Sequence, residues 1–525
     1  MPLPVVLTSV AYATPDGTRL FSDLDLSFSA GRTGLVGRNG TGKSTLLKLI
    51  AGDLRPLAGS ISRPERIGML CQTVQSSDGM IADVMGVRAA LDRLARVETG
   101  TADEIDYVEA DWTLPSRIAS CLVSVGLEAE AERPMATLSG GQRTRVQLAA
   151  LLVDEPDLML LDEPTNNLDA EGREAVVDLL AQWRGGVIVV SHDRALLRDV
   201  DGIVELTSLG ARSFGGNWDV YKARRDLDLA AAEQRLDAAE QALKQVSRKA
   251  QQVKERQDRR NAAGKRKGAR GDMPRIMVGG LKENAERTTA SNAIVADRRR
   301  EQATADAREA RAEIEILTPL SVTLAPTGLP AGRTVLDAQG LSGGPGERDL
   351  IRNLDLRLAG PERVAISGPN GSGKTTLLRL LTGRLSPRSG TVRITPHHAM
   401  LDQQVSLLDP SLSIRDNFRR LNPAASENDC RAALARMMFR ADAALQEVGS
   451  LSGGEMLRVA LAVTIGSDAP PELLILDEPT NHLDIHAIAA VEAGLASYDG
   501  ALMVVSHDRD FLEAIGIERE LVLSA

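Results

Sequence analysis

Four short runs stand out for being apolar without interruption: LMLL at 158–161, VIVV at 187–190, LLIL at 473–476 and LMVV at 502–505. Runs of that length rich in Val, Ile and Leu fit strands covered on both faces. Stretches of helical character, such as TLLKLIAG at 45–52, alternate with apolar runs along the chain. The alternation predicts an α/β fold. From about 218 to 320 the period changes. Leu229, Leu236, Leu243 and Ala250 recur every seven residues, with Ala232, Ala239, Val246 and Val253 at the offset heptad position. A second such run passes through Ala303, Ala307, Ala310, Ile314 and Leu317. Between them NAAGKRKGARGDMPRIMVGG, at 261–280, is rich in Gly and Lys/Arg, where a helix is expected to end. The pattern predicts a helical hairpin tipped by this loop. A solvated helix pair with no binding role is the plainer alternative.

The strand-and-helix unit occurs twice. GLVGRNGTGKSTLLKLIAGDLRPLAGSI from Gly34 matches AISGPNGSGKTTLLRLLTGRLSPRSGTV from Ala365. Lys43 to Lys374 and Gln72 to Gln403 are both offsets of 331, Ser139 to Ser452 is 313, and Glu163 to Glu478 and His192 to His507 are both 315. The first copy therefore carries 18 extra residues before Ser139, expected within 88–115. At 525 residues the chain exceeds one core. The expected division is 1–217 and 321–525 as two repeated domains, with 218–320 as a helical linker.

Each copy carries a phosphate-binding pattern, GxxxxGK[ST]. In the first it runs through Gly37, Asn39, Gly40, Gly42, Lys43 and Ser44, followed by Thr45; in the second through Gly368, Asn370, Gly371, Gly373, Lys374 and Thr375, followed by Thr376. The glycines let backbone N–H groups close around phosphate oxygens, the lysine neutralises β and γ charge, and the Ser or Thr hydroxyl can ligate magnesium. Downstream, LMLLDEPTNNLD and LLILDEPTNHLD end an apolar strand in an acidic pair. Asp162 and Asp477 are candidates to hold magnesium, and Glu163 and Glu478 to polarise the attacking water. His192 and His507, in VVSHDR and VVSHDR again, each lie 29 residues after their glutamate. Their repetition favours a γ-phosphate contact over a buried structural histidine.

LSGG occurs three times. In LSGGQ (Ser139, Gly140, Gly141, Gln142) and LSGGE (Ser452, Gly453, Gly454, Glu455) the serine precedes Gln or Glu by three residues, the spacing of a reciprocal helix cap, and helix formers follow. Two glycines there expose N–H groups suited to a phosphate anion. In LSGGPG, at 341–346, Pro345 cannot complete such a cap, and the string lies 32 residues before Lys374. It is expected to be a surface turn.

These elements, in this order and twice over, resemble the ATP-binding cassette superfamily. The resemblance implies two cassettes facing head to tail, with magnesium and ATP between the phosphate loop of one and the LSGG helix of the other. The first site would combine Lys43, Ser44, Gln72, Asp162, Glu163 and His192 with Ser452 and Gly454. The second would combine Lys374, Thr375, Gln403, Asp477, Glu478 and His507 with Ser139 and Gly141. Gln72 and Gln403 are implied as nucleotide and metal contacts. Many cassettes stack adenine on an upstream aromatic, for which Tyr12 is the candidate in the first copy; the second has none. Twin cassettes on one chain, a helical linker of about a hundred residues, TNHLD, and GNWDVY at 216–221 are similar to the ABC-F group. That implies ATP hydrolysis coupled to ribosome binding beside the peptidyl-tRNA, in translation or in antibiotic protection. The linker tip would point toward the peptidyl-transferase centre.

Charge supports an RNA partner independently. Residues 244–300 hold 17 Lys/Arg against 6 Asp/Glu, a balance of +11, which leaves −21 for the rest of a chain with net charge −10. Such a hairpin is driven against phosphate and little else. Lys265, Arg266, Lys267, Arg270 and Arg275 are the expected contacts. No Phe, Tyr or Trp occurs from 222 to 417, so base stacking on those rings is excluded there. The opening MPLPVVLTSV lacks a basic run before an apolar core, and no span of about 18 apolar residues occurs, so a cytoplasmic protein without membrane insertion is expected, working as a monomer through its own cassette pair. Cys71, Cys121 and Cys430 show no metal or disulfide spacing and are expected as free thiols. The competing reading is the cytoplasmic ATPase subunit of a membrane transporter, such as a drug exporter. A DNA-repair ATPase would call for longer coiled coils or a CxxC hook.

Overall fold

The computed structural model describes residues 4–70, 79–166, 168–207, 210–268, 324–346, 348–437, 441–467, 469–481 and 483–524, with isolated positions at 298, 301, 302, 304–306, 308 and 439. Gln72, Cys71, Asn167, His482, Arg270, Arg275 and the second heptad run lie outside them. The chain divides into two compact units, Met1–Asp219 with Pro319–Ala525, and Val220–Thr318. Both repeated copies fall in the first.

Each copy pairs a parallel sheet with a three-stranded antiparallel one. In the first copy six strands follow one another across the main sheet: Ile67–Leu70, Leu158–Asp162, Gly186–Val190, Arg32–Gly37, Gly202–Thr207 and, antiparallel at the edge, Gly210–Gly215. In the second the order is His398–Leu401, Leu473–Asp477, Ala501–Val505, Arg363–Ser367 and Arg519–Val522, all parallel. The four apolar runs are the second and third strands of these sheets, and every residue of them is buried. Helices cover both faces, as parallel strands require.

Register, rather than strand content alone, builds the site. Val190 pairs with Leu35 on one side and Asp162 on the other, and Val505 pairs with Ile366 and Asp477. The carboxyl ends of three neighbouring strands therefore stop at one level. The phosphate loop, the acidic pair and the histidine leave from that level, the edge at which open α/β sheets bind ligands.

Among the described residues, two arginines of the first copy form ion pairs with the second. Arg194 Nη1 lies 2.7 Å from Glu492 Oε1, and Arg198 grips Asp510 with two bonds of 2.9 and 2.7 Å. The excess before Ser139 takes the form of helices Arg88–Glu98 and Glu104–Glu109, where Asp106 receives two bonds from Arg96, 2.8 and 2.6 Å. The second copy passes from Leu421 to Glu427 without them.

One sequence expectation needs correction. LSGGPG is not wholly a turn: Leu341, Ser342 and Gly343 finish strand Thr334–Gly343, with Ser342 opposite Ser389, and only the following residues turn. Leu341 and Gly343 alternate inward against the core, a period-2 pattern masked by the match to the signature string. The linker's first helix reaches into 261–280, the basic stretch where it is expected to end. It runs Trp218–Gly268, through Gly264 and Lys265 to Lys267. One glycine among Ala, Lys and Arg costs about 1 kcal/mol, too little to stop a long helix.

Candidate nucleotide sites

Each phosphate loop is shaped by glycines in the left-handed region. Gly40 and Gly371 hold φ of 83° and 87°, and Gly42 and Gly373 hold 93° and 94° at the helix N-caps of Lys43–Ala51 and Lys374–Leu381. At Gly37 and Gly368 a Cβ would collide with the carbonyl oxygens of Leu206 and Leu523. The lysines fold back over the loop they follow. Lys43 Nζ donates to Gly37 O at 2.7 Å and Arg38 O at 3.0 Å, and Lys374 Nζ to Gly368 O at 2.7 Å and Pro369 O at 3.1 Å. Both are buried, which pushes their ammonium pKa down against the pull of the neighbouring carboxylates.

Ser44 hydrogen-bonds the Asp162 carboxylate and Thr375 that of Asp477, while burial pushes both carboxyl groups up. Hydroxyl and carboxylate thus meet at the end of each strand, as the predicted metal contacts require. Gln403 lines the cavity of the second site. Among the described residues no cluster of three or more His, Cys, Asp or Glu could hold a metal alone. A hydroxyl and one carboxylate suit a magnesium ion that draws its remaining oxygens from phosphate and water.

The next residue is the strained one. Glu163 and Glu478 sit at φ of 51° and 49°, in the left-handed region that non-glycine residues avoid, each N–H bonded at 2.9 Å to Val190 O or Val505 O. Burial pushes Glu163 up to about 8 and Glu478 up to about 7. The histidines move the other way, His192 down to about 3 and His507 to about 4, through burial and then the facing lysine. His192 Nε2 comes to 3.1 Å from Glu163 Oε1, and His507 Nε2 to 3.4 Å from Glu478 Oε1. Close as they are, these pairs are not aligned as hydrogen bonds, and buried Glu163 Oε1, His192 Nδ1, Glu478 Oε2 and His507 Nε2 have no hydrogen-bond partner. Orphaned polar atoms repeated at matching positions mark where a water and a phosphate oxygen fit.

Ser139 and Ser452 cap helices Gly140–Val153 and Gly453–Thr464 with the reciprocal box the spacing predicts: Ser139 N to Gln142 Oε1 is 3.0 Å, Ser452 N to Glu455 Oε2 is 2.9 Å. Neither Ser139, Gly140, Gly141 nor Gln142 is among the residues lining the cavity at the second loop. What reaches across instead is the aspartate ending TNNLD and TNHLD. Asp484 Oδ2 accepts the Asn39 N–H at 2.8 Å, and Asp169 Oδ2 accepts that of Asn370 at 3.2 Å. Each also caps its own helix, through Ala487 N at 2.8 Å and Gly172 N at 3.1 Å. Sequence reasoning missed both, though the duplicated LD at an offset of 315 was a usable signal. Tyr12 is half-buried against the hydrophobic cluster under the first loop.

Residues 21–166 and 351–481, which contain both loops and both acidic pairs, match the ABC transporter family. The chain belongs to the ATP-binding cassette family. Within it this is an ABC-F protein and an ATPase. It is 32% identical to the tylosin resistance ATP-binding protein TlrC of Streptomyces fradiae over 94% of this chain and 93% of that one. It is 30% identical to the energy-dependent translational throttle protein EttA of Escherichia coli K12, covering 96% and 90%, and of Mycobacterium tuberculosis H37Rv, covering 94% and 87%. An archaeal ribosome recycling factor, aABCE1, solved with the ribosomal stalk protein aP1, shares the fold of this ABC-F chain with a TM-score of 0.59 at 20% identity, covering 98% and 87%. Among the described residues no helix is long and apolar enough to cross a membrane.

Proposed function

We propose that this ABC-F protein binds two ATP molecules between its cassettes, hydrolyses them with magnesium, and uses the cycle to engage the ribosome through its basic linker, modulating translation or protecting against an antibiotic. The observation that carries the reading is the exchange of contacts at the two loops, where Asp484 holds the backbone of the first and Asp169 that of the second. Each site thereby depends on both cassettes.

In each site the loop N–H groups and Lys43 or Lys374 bind the β and γ phosphates. Ser44 and Asp162, or Thr375 and Asp477, would hold magnesium alongside Gln72 or Gln403, and the bound ion would supply positive charge against the phosphates. Glu163 and Glu478 orient a water in line with the γ phosphorus and draw off its proton as the new P–O bond forms and the bond to the β-γ bridging oxygen breaks. His192 and His507, kept neutral by burial, hold the γ-phosphate. Gly140, Gly141 and Gln142, with Gly453, Gly454 and Glu455, complete the opposite walls on closure.

The ribosome is proposed because similar chains are named for translational throttling and for tylosin resistance, and because positive charge is concentrated in 244–300. The domains are assigned as 1–217, 218–320 and 321–525, and the working unit as a cytoplasmic monomer. The test is steady-state ATP turnover by the purified chain. Lys43→Ala with Lys374→Ala is expected to abolish it; turnover equal to the unmodified protein contradicts the reading.

A further inference from the structure

The two nucleotide sites are not charged alike: Arg38 stands in the first loop where the second has Pro369, and Arg173 lines the cavity at the second. We infer that Arg173 is an anion-contacting residue that the first cassette supplies to the second nucleotide site, with no counterpart at the first. At the offset of 315 that relates the two copies here, Arg173 corresponds to Ile488, which is 2% exposed inside the second cassette's apolar cluster. The first site therefore receives no arginine from that position.

The cavity at the second loop, about 350 Å³, is walled by Leu168 and Arg173 of the first copy and by Asn370, Lys374, Glu478 and His507 of the second. Arg173 is held from behind. Its Nε donates to Leu168 O at 3.4 Å, and its Nη1 lies 3.5 Å from Asp193 Oδ2. Asp193 is itself fixed, its Oδ1 accepting the Ala195 N–H at 3.0 Å to cap the next helix. These contacts use Nε and Nη1, which lie on different edges of the planar guanidinium, and Nη2 remains as a further donor on a side chain that lines the cavity. The positive charge is felt at the chemistry: after burial, Arg173 is the largest influence on the Glu478 carboxyl, ahead of Lys374, and it also acts on His507.

A guanidinium facing a loop, a lysine and a general base suits the charge that builds on transferring phosphoryl oxygens. Removing one preorganised donor of that kind costs about 10²–10³ in kcat. The inference rests on the ATP reading above and gives the second site a donor that the first does not receive from the matching position.

The experiment uses the full chain with one site disabled at a time. In the Lys43→Ala background turnover comes from the second site, and Arg173→Ala is expected to lower kcat at least tenfold, more than it raises KM. Arg173→Lys is expected to recover part of the loss, since it keeps charge without the planar fork. The readout is the ratio of that loss to the loss from Arg173→Ala in the Lys374→Ala background, expected at ten or more. If steady-state single-site turnover is too slow to compare, the same ratio is read on single-turnover hydrolysis rates at saturating enzyme. A ratio near one overturns the assignment, because it makes Arg173 a structural residue of both cassettes. The ATP reading fails differently: the double lysine variant would then turn over ATP as well as the unmodified chain.

Discussion

Glu163 and Glu478 occupy the least favourable backbone positions of their strands' ends, and a left-handed non-glycine residue costs on the order of 1–3 kcal/mol. The fold bears that cost where the carboxylate must face a phosphate. The same burial sets a pH signature. With Glu478 at about 7 and Glu163 at about 8, each base gains its working, ionised form as pH rises. In single-site variants, kcat/KM is expected to rise with a midpoint near 7 when only the second site works and near 8 when only the first does. A flat profile from pH 6 to 9 contradicts the assignment. Stability runs the opposite way. A carboxyl whose folded pKa is raised contributes most below its unfolded value and loses that contribution as pH climbs through the folded pKa. Glu163→Gln is therefore expected to raise Tm above that of the unmodified chain at pH 8 to 9, with the difference vanishing below about pH 4.5, measured by thermal melts. The lysines, hydroxyls, acidic pairs and histidines were legible in the sequence because each sits in a short duplicated string. Arg173 and the left-handed glutamates were not: one acts on Glu478 and His507, 305 and 334 positions away, the other is a backbone angle that no side chain announces.

At the scale of elements, strands and caps were legible in the residue pattern and the exceptions were not. Uninterrupted Val, Ile and Leu runs can only be buried strands here, and Ser-x-x-Gln or Ser-x-x-Glu closes a helix N-terminus by two local bonds. LSGGPG misled because its strand half and its turn half share one string. The long linker helix outran a glycine because alanine and basic residues on both sides favour helix. The aspartates after TNNL and TNHL do two things at once, capping a helix and holding the opposite loop. Comparison with a cap that does only the first separates them. Asp169→Ala, Asp484→Ala and Ser426→Ala each remove an N-cap and are expected to cost a similar 0.5–2 kcal/mol, roughly, in melts. Only the two aspartate changes should also lower ATP turnover, by tenfold or more. Equal turnover in all three variants removes the cross-cassette contact from the account.

At the scale of the whole molecule, charge is partitioned between a −21 body and a +11 insert. Binding to RNA through such an insert releases counterions, with log K falling about 0.7–0.9 per phosphate for each unit of log salt. Neutralising Lys265, Arg266 and Lys267 together is expected to flatten that slope by about 2–3 while leaving ATP turnover without ribosomes intact. A salt slope unaffected by the triple change moves the RNA contact elsewhere. The most direct measurement is sedimentation of the Glu163→Gln, Glu478→Gln double variant through a sucrose cushion from lysate supplied with ATP or ADP. The account predicts pelleting with ribosomes in ATP and release in ADP. Protein that stays in the supernatant in both, or that floats with membranes, contradicts it.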